Sequence, residues 1–231
     1  GYDGFGVKIL NSKNDILDLP DCEMIIEDFV SFKKELAVIV ARNLNGDIET
    51  FETVEMEFNS DSNQVEFVIS PARISKELKR KAKEIAIETT KKIDNIGLLA
   101  VEMFLTENDE ILINEIAPRP HNSGHFSIEA CPTSQFEQHL RSILNLPLGK
   151  TSHKNFAVML NLVGDYGFNG NVFYENLESS FSEVDTHIHI YGKEKTRHNR
   201  KMGHITIICD KFEDAYRKAT YLKNKIKVKT L

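Results

Sequence analysis

Cysteine is scarce in this sequence of 231 residues. The three cysteines, Cys22, Cys131 and Cys209, lie far apart, and no two of them form a CxxC pair. Neither a disulfide framework nor a structural zinc site is therefore predicted, because both need paired or closely spaced cysteines. We expect a protein of a reducing compartment, with Cys131 as a buried core residue.

Long apolar runs and an excess of basic residues are also lacking. No stretch approaches the length needed to span a bilayer, and no charged segment followed by an apolar one opens the chain. The formal net charge is -6, whereas nucleic-acid binding depends on clustered lysine and arginine. We therefore expect a soluble, cytoplasmic protein that has neither a membrane nor a nucleic acid as its partner.

The apolar share of 41% is sufficient for one large domain or two small ones. Short β-branched stretches and helical patterns together indicate the α+β class. A helix stop at residues 146–149 is a candidate boundary between a first domain at 1–149 and a small α+β domain at 150–231. Because the chain opens inside a glycine-dense loop with no preceding strand, we expect that an N-terminal part is missing.

Turn residues divide the chain into short elements. We predict strands at residues 24–29, 36–41, 48–54, 65–69, 157–163, 187–191 and 204–209. One helix should begin after Ser75, a favourable N-cap residue. A second helix is predicted at 133–144, with His139 in a structural role. Asp210 and Glu213 resemble a capping box that opens a last helix.

A hairpin is predicted from the strand-like residues 97–106 and 110–117. Asn108 and Asp109 suit a two-residue turn, and this turn would place Glu102 directly opposite Glu115. Like charges in that position repel each other. A divalent cation such as Mg²⁺, which binds carboxylate oxygens, would compensate. The alternatives are a solvated sheet face or a longer turn that leaves the two residues unopposed.

The loop after this hairpin is dense in polar groups. Arg119, His121 and His125 follow within a few residues, and Pro118 and Pro120 stiffen the backbone. A guanidinium orients an anion only if the backbone holds it still. We interpret the loop as functional, with an ordinary solvated turn as the alternative.

Two further segments suggest phosphate binding. Gly1, Gly4 and Gly6 would leave backbone N–H groups open to phosphate oxygens, although no Walker-type ending follows and a surface turn is the alternative. Residues 191–201 concentrate cations in an otherwise acidic protein, and arginine and lysine both bind phosphate. We interpret this second segment as the site of a phosphate-bearing small substrate, with a solvated loop as the alternative.

The motifs together resemble a known family. In chain order they are GYDGFG at residues 1–6, IEDFV at 26–30, AVEMF at 100–104, NEIAPRPHNSGH at 114–125, TSQFEQH at 133–139, YGK at 191–193 and RKMGH at 200–204. The series is similar to the 5-(carboxyamino)imidazole ribonucleotide synthases, which are ATP-grasp ligases of purine synthesis. The resemblance covers nearly the whole chain. It implies an ATP-grasp core with antiparallel sheets and packed helices, then a small C-terminal α+β domain. An N-terminal domain of the family has no counterpart here.

The resemblance also implies a reaction and its participants. ATP and bicarbonate would form carboxyphosphate, whose carboxyl group passes to the amine of 5-aminoimidazole ribonucleotide, with ATP and Mg²⁺ as cofactors and a homodimer as the assembly. Glu102 and Glu115 would bind Mg²⁺. The nucleotide would contact Gly1, Tyr2, Asp3, Gly4, Phe5, Gly6, Val7, Glu27, Asp28, Phe29, Val30, Glu35, Asn114 and Glu115. Bicarbonate would face Arg119, His121 and the adjoining Asn122, and the ribonucleotide would contact Tyr2, Asp3, Lys193 and Arg200.

Three positions depart from the family pattern. Phe58 stands where relatives usually have a histidine near the nucleotide, and Phe5 and Val7 replace more polar residues of the glycine loop. We expect altered loop contacts rather than loss of activity, although the isolated chain should be impaired. Two other hypotheses stay open. One is a different ATP-grasp ligase, such as a formate-using glycinamide ribonucleotide transformylase, and the other is a non-catalytic nucleotide-binding or dimerisation fragment.

Overall fold

The computed structural model describes residues 8–59 and 64–231. Its strands are β1 (Phe32–Arg42), β2 (Ile48–Thr50), β3 (Val54–Phe58), β4 (Val65–Ser70), β5 (Gly97–Thr106), β6 (Ile111–Ala117), β7 (Phe156–Val163), β8 (Gly170–Glu175), β9 (Thr186–Ile190), β10 (Lys195–Thr196), β11 (Lys201–Cys209) and β12 (Lys227–Thr230). Its α-helices are α1 (Lys76–Lys92), α2 (Ser127–Ala130), α3 (Gln135–Ile143) and α4 (Phe212–Lys225). Short 3₁₀ helices cover Lys13–Asp18, Asn122–Gly124 and Leu177–Ser182. The α+β class is thus confirmed.

The main element of the described structure is a large antiparallel sheet. Within the described ranges it has nine strands in the order β6-β5-β1-β3-β4-β7-β11-β9, with β2 paired to β1. Strands β10, β8 and β12 form a separate three-stranded sheet. Because β4 pairs with β7, the large sheet continues past residue 149. The domain boundary at that position stays a prediction.

Both faces of the large sheet are covered. Along β1, Ala37 and Ile39 face a core that includes Phe126, whereas Leu36 and Val38 face the core formed with α1. This alternation is the period of two that a strand imposes on its side chains. A third core packs β7 and β11 against α4. The carboxylates described below lie on the Ala37 face, because Ala37 pairs directly with Glu102.

Several predicted elements of the first half are confirmed. Ser75 caps α1 by accepting a hydrogen bond from the amide of Leu78. The predicted strand at 24–29 is wrong. This segment is irregular and its apolar side chains are exposed, with Ile25 90% accessible, because no described strand pairs with it. The strand predicted at 48–54 is interrupted: β2 ends at Thr50, β3 begins at Val54, and the buried Phe51 lies between them.

In the second half of the chain the predicted strands are largely confirmed, whereas the predicted helix cap is not. Strands β7, β9 and β11 cover most of the predicted ranges, and α3 lies within 133–144. The capping box at Asp210 is wrong, because α4 starts after Lys211 without a side-chain cap bond. Strands β8, β10 and β12 were not predicted. None of the helices in the described ranges has the length and apolar character required to cross a membrane.

Candidate active site

The hairpin of β5 and β6 opposes the two glutamates as predicted, although its turn differs. Thr106 donates its N–H to the carbonyl of Glu110 at 2.9 Å, so three residues form the loop, and Asp109 adopts the left-handed conformation at φ 62°. The extra residue is compensated by a register shift after Glu102 that leaves Asn114 as a bulge. The two-residue turn is therefore wrong, yet the pairing of Glu102 with Glu115 is confirmed.

Three potential metal ligands converge beside this bulge. Ligand atoms of Glu102, Glu115 and His121 all lie within 4.8 Å of one another. Glu102 is 8% exposed, and its Oε1 has no hydrogen-bond partner in the described part of the chain. That oxygen is 3.3 Å from Nδ1 of His121. A buried carboxylate oxygen without a hydrogen bond is costly. The two carboxylates of the group therefore fit a hard divalent cation such as Mg²⁺, which prefers oxygen ligands.

Burial, followed by repulsion between carboxylates, dominates the electrostatics of the site. Glu35, Glu102 and Glu115, here called the carboxylate cluster, act on one another. Burial, followed by the charges of Glu115 and Glu35, raises the pKa of Glu102 to about 7. Burial and the charge of Glu115 also raise the pKa of Glu35 to about 7. The positive charges of Lys201 and Arg119 offset only part of the effect on Glu102.

The raised pKa values predict how stability depends on pH. The folded Glu102 keeps a proton up to about pH 7, whereas its ordinary pKa is 4.5. Between these values the unfolded chain binds fewer protons, so this group lowers the free energy of unfolding as pH rises. Glu102→Gln should therefore gain thermal stability relative to the wild type across this window, measured in the presence of a chelator. Contributions from groups outside the carboxylate cluster cancel in the difference. A difference that is independent of pH would contradict the prediction.

The loop from Arg119 to His125 is held by hydrogen bonds within itself and to a neighbouring strand. Arg119 is exposed and donates from Nη1 to the carbonyl of Pro120 at 3.1 Å. Nδ1 of His121 faces the Ser123 hydroxyl at 2.9 Å. The side chains of Asn122 and Asn161 exchange two hydrogen bonds of 2.8 and 2.9 Å. The Asn122–Asn161 pair joins the loop to the central strand β7.

Three stacked imidazoles connect the same loop to the last strands of the sheet. The ring of His204 lies 4.8 Å from that of His125 and 4.5 Å from that of His189. Nδ1 of His204 is 3.0 Å from the Tyr191 hydroxyl, and His189 contacts Glu129 of α2 at 2.6 Å. Sequence reasoning missed His189, His204 and Glu129 as partners of this loop, because no spacing pattern relates residues that distant strands bring together.

The cationic segment lies next to this stack. Lys193 donates from Nζ to the carbonyl of Lys201 at 2.5 Å, and Arg200 donates to the carbonyl of Lys195 at 2.6 Å. The charge of Lys201 acts on both Glu102 and His125. The start of β11 therefore brings the predicted phosphate-binding segment close to the carboxylate cluster.

A cleft shares Glu35 with the carboxylate cluster. It has a volume of about 570 Å³, and Phe32, Glu35, Phe58 and Arg73 are among the residues that line it. Phe32 stacks on Phe104, with the ring centroids 4.4 Å apart. Phe58, one of the departures from the family pattern, is thus part of the wall.

Two predicted site segments are not part of the site described above. Residues 1–7, which contain the glycine loop, are outside the described residues. Residues 27–30 belong to the irregular segment that precedes β1. Their contact with a nucleotide stays a prediction.

Family comparisons agree with this architecture. The ATP-grasp domain matches residues 1–136 of the 231, so the chain belongs to the ATP-grasp family. The phosphoribosylaminoimidazole carboxylase C-terminal domain matches residues 157–218. Together the two matches confirm the order of parts predicted from the motifs, an ATP-grasp core followed by a small C-terminal unit.

Individual relatives make the resemblance more specific. The chain is 43% identical over 221 residues to the N5-carboxyaminoimidazole ribonucleotide synthase of Bacillus subtilis, covering 90% of this chain and 54% of that protein. The crystal structure of N5-carboxyaminoimidazole ribonucleotide synthetase from Thermotoga maritima has a TM-score of 0.89 and 45% identity, covering 95% of this chain and 59% of that one.

A third relative was solved with ligands. The Aspergillus clavatus N5-carboxyaminoimidazole synthase, in complex with ADP and 5-aminoimidazole ribonucleotide, has a TM-score of 0.83 and 35% identity, and the match covers 93% of this chain and 58% of that one. The resemblance to this group of enzymes is confirmed. The chain spans about half the length of the curated relatives that it matches.

Proposed function

We propose that the whole protein is a ligase that uses ATP and bicarbonate to carboxylate the amine of 5-aminoimidazole ribonucleotide. The observation that carries the proposal is the pair Glu102 and Glu115 beside the loop that contains Arg119 and His121. The names of the relatives support the substrate. In the reaction a bicarbonate oxygen attacks the γ-phosphorus and ADP leaves. The amine then attacks the carboxyl carbon of carboxyphosphate, loses a proton and displaces phosphate.

Transfer of the phosphoryl group needs alignment and charge neutralisation more than covalent help. Glu102 and Glu115 would hold Mg²⁺, with Asn114 beside them, and the ion would neutralise phosphate charge. Glu35 and the adjoining cleft would receive the nucleoside, together with residues 27–30. Arg119 and His121 would orient bicarbonate. Asn122, whose amide is bonded to Asn161, would support that loop.

The remaining proposed contacts concern the ribonucleotide and the exclusion of water. Lys193 and Arg200 would bind its phosphate, because their cationic groups lie on a segment next to the site. Tyr2 and Asp3 would complete the contacts from the glycine loop. Residues 1–7 would cover the nucleotide phosphates, since carboxyphosphate hydrolyses when water enters. We further propose a division at residue 149, a homodimer and a cytoplasmic location.

Release of ADP tests the proposal. The full-length protein, given ATP, Mg²⁺, bicarbonate and 5-aminoimidazole ribonucleotide, should release ADP at a rate that depends on the ribonucleotide. A parallel reaction with formate and glycinamide ribonucleotide should release none above background. Activity only in the formate reaction would identify the transformylase instead. Tight Mg-ATP binding without turnover in either reaction would favour a non-catalytic, nucleotide-binding role.

A further inference from the structure

Gln135 holds the loop that contains the proposed bicarbonate residues. It is fully buried at the start of α3. Its Oε1 accepts the N–H of His121 at 2.9 Å, and its Nε2 donates to the carbonyl of the same residue at 2.8 Å. The same Nε2 lies 2.9 Å from Nδ1 of His125. One amide group therefore fixes two histidines of the loop.

These contacts determine which nitrogen of His125 carries the proton. A backbone N–H only donates and a backbone carbonyl only accepts, so the Gln135 amide has one possible orientation. One hydrogen of its Nε2 goes to the carbonyl of His121, and the other goes to Nδ1 of His125. That Nδ1 must therefore be an acceptor. The neutral ring then carries its proton on Nε2.

The surroundings keep His125 neutral. Its ring is packed between Phe136 at 5.8 Å and the 2%-exposed His204 at 4.8 Å. Burial, followed by the positive charges of Lys201 and His189, lowers the pKa of His125 to about 4. A neutral imidazole with a fixed tautomer is a hydrogen-bond donor at one known atom.

Hydrogen bonds to neighbouring residues fix the position of Gln135. Its N–H donates to the buried hydroxyl of Ser127 at 2.9 Å, and that hydroxyl donates to the carbonyl of Gly124. A Cβ on Gly124 would lie 2.6 Å from Oε1 of Gln135 and 2.2 Å from a methyl carbon of Ile39. A side chain at Gly124 would therefore displace the Ile39 methyl group and the Gln135 amide.

We propose that Gln135 is a positioning residue for the carboxylation reaction: it fixes His121 through its backbone and holds His125 in the Nε2–H tautomer. His125 can then donate one hydrogen bond to an anionic oxygen without exchanging a proton. The kinetic part of this inference rests on the proposed function, whereas the tautomer does not.

Side-chain ¹⁵N spectra of the full-length protein, labelled at histidine and assigned with His125→Gln, test the tautomer. The wild type should show protonated Nε2 and unprotonated Nδ1 at His125. Gln135→Glu replaces the donor by a carboxylate, which only accepts, so a proton should move onto Nδ1. Protonated Nδ1 in the wild type would overturn the proposal even if the variant did not fold, and so would an unchanged tautomer in a folded Gln135→Glu.

Gln138 offers a matched control on the same helix. It is equally buried, and its amide bonds the N–H and the carbonyl of Gly149 at 2.9 and 3.0 Å, away from the histidines. Gln138→Glu should leave the His125 spectrum unchanged.

In the full-length enzyme Gln135→Glu should lower kcat by ~10²-fold, the cost of a misplaced reacting group, with little change in KM for ATP. If Gln135→Glu and Gln138→Glu lost kcat equally, Gln135 would have only a structural role.

Discussion

Glu115→Gln should lower kcat by ~10²–10³-fold, the usual cost of removing one group that stabilises charge in the transition state. Glu115 is exposed, whereas the facing Glu102 is buried. Burial, followed by the charge of Glu115, raises the pKa of Glu102 to about 7. The variant should not lose thermal stability, because it also removes like-charge repulsion from the sheet face. Steady-state ADP release and thermal unfolding of the full-length protein measure the two effects.

Glu110→Gln is the control for this experiment. Glu110 lies in the same hairpin and is exposed, but it is outside the group of potential metal ligands. Its substitution should leave kcat and the dependence on Mg²⁺ concentration unchanged. Full activity of Glu115→Gln at ordinary Mg²⁺ concentrations would refute a metal role for the glutamate pair.

The second large effect is expected at Arg119. Arg119→Lys should lower kcat by ~10²-fold, because lysine keeps the charge but cannot present a planar fork to a carboxylate-like anion. The KM for ATP should change little, since the guanidinium is proposed to face bicarbonate. The KM for bicarbonate and kcat are measured separately.

Arg141→Lys is a suitable comparison for Arg119. Arg141 makes its own contacts, to Glu137 and to the carbonyl of Pro147, on the far part of α3. Its substitution should change neither kinetic constant. If Arg119→Lys changed only the KM for ATP, the guanidinium would belong to the nucleotide site instead.

The hairpin illustrates how far local sequence rules reach. Asn108 and Asp109 identified the turn but not its length, because a three-residue loop uses the same residue types. The pairing of Glu102 with Glu115 was nevertheless correct, since the bulge at Asn114 restores the register. Such a bulge belongs to the folded strand pair, and a turn motif does not encode it.

Residues 24–29 illustrate the opposite case. Their β-branched and aromatic composition is typical of a strand, but a strand also needs a partner to bond its backbone. In the described part of the chain this segment is irregular and Ile26 is 82% exposed. Composition alone therefore could not determine its structure.

The residues that hold the loop from Arg119 to His125 could not be predicted from the sequence, for a different reason. The motif that contains Arg119 and His121 was recognisable from its density of polar groups and from the family resemblance. Its supports, Asn161 and Gln135, lie on β7 and α3. Residues separated so far along the chain have no periodicity in common, so only the fold reveals that they meet.

Isotope transfer tests the proposed chemistry most directly. In a reaction of the full-length protein with ¹⁸O-labelled bicarbonate, ATP, Mg²⁺ and 5-aminoimidazole ribonucleotide, the oxygen that attacks the γ-phosphorus should remain on phosphate when the carboxyl group moves to the amine. Mass spectrometry should then find one labelled oxygen in each phosphate released. Ribonucleotide-dependent ADP release with unlabelled phosphate would contradict formation of carboxyphosphate at this site.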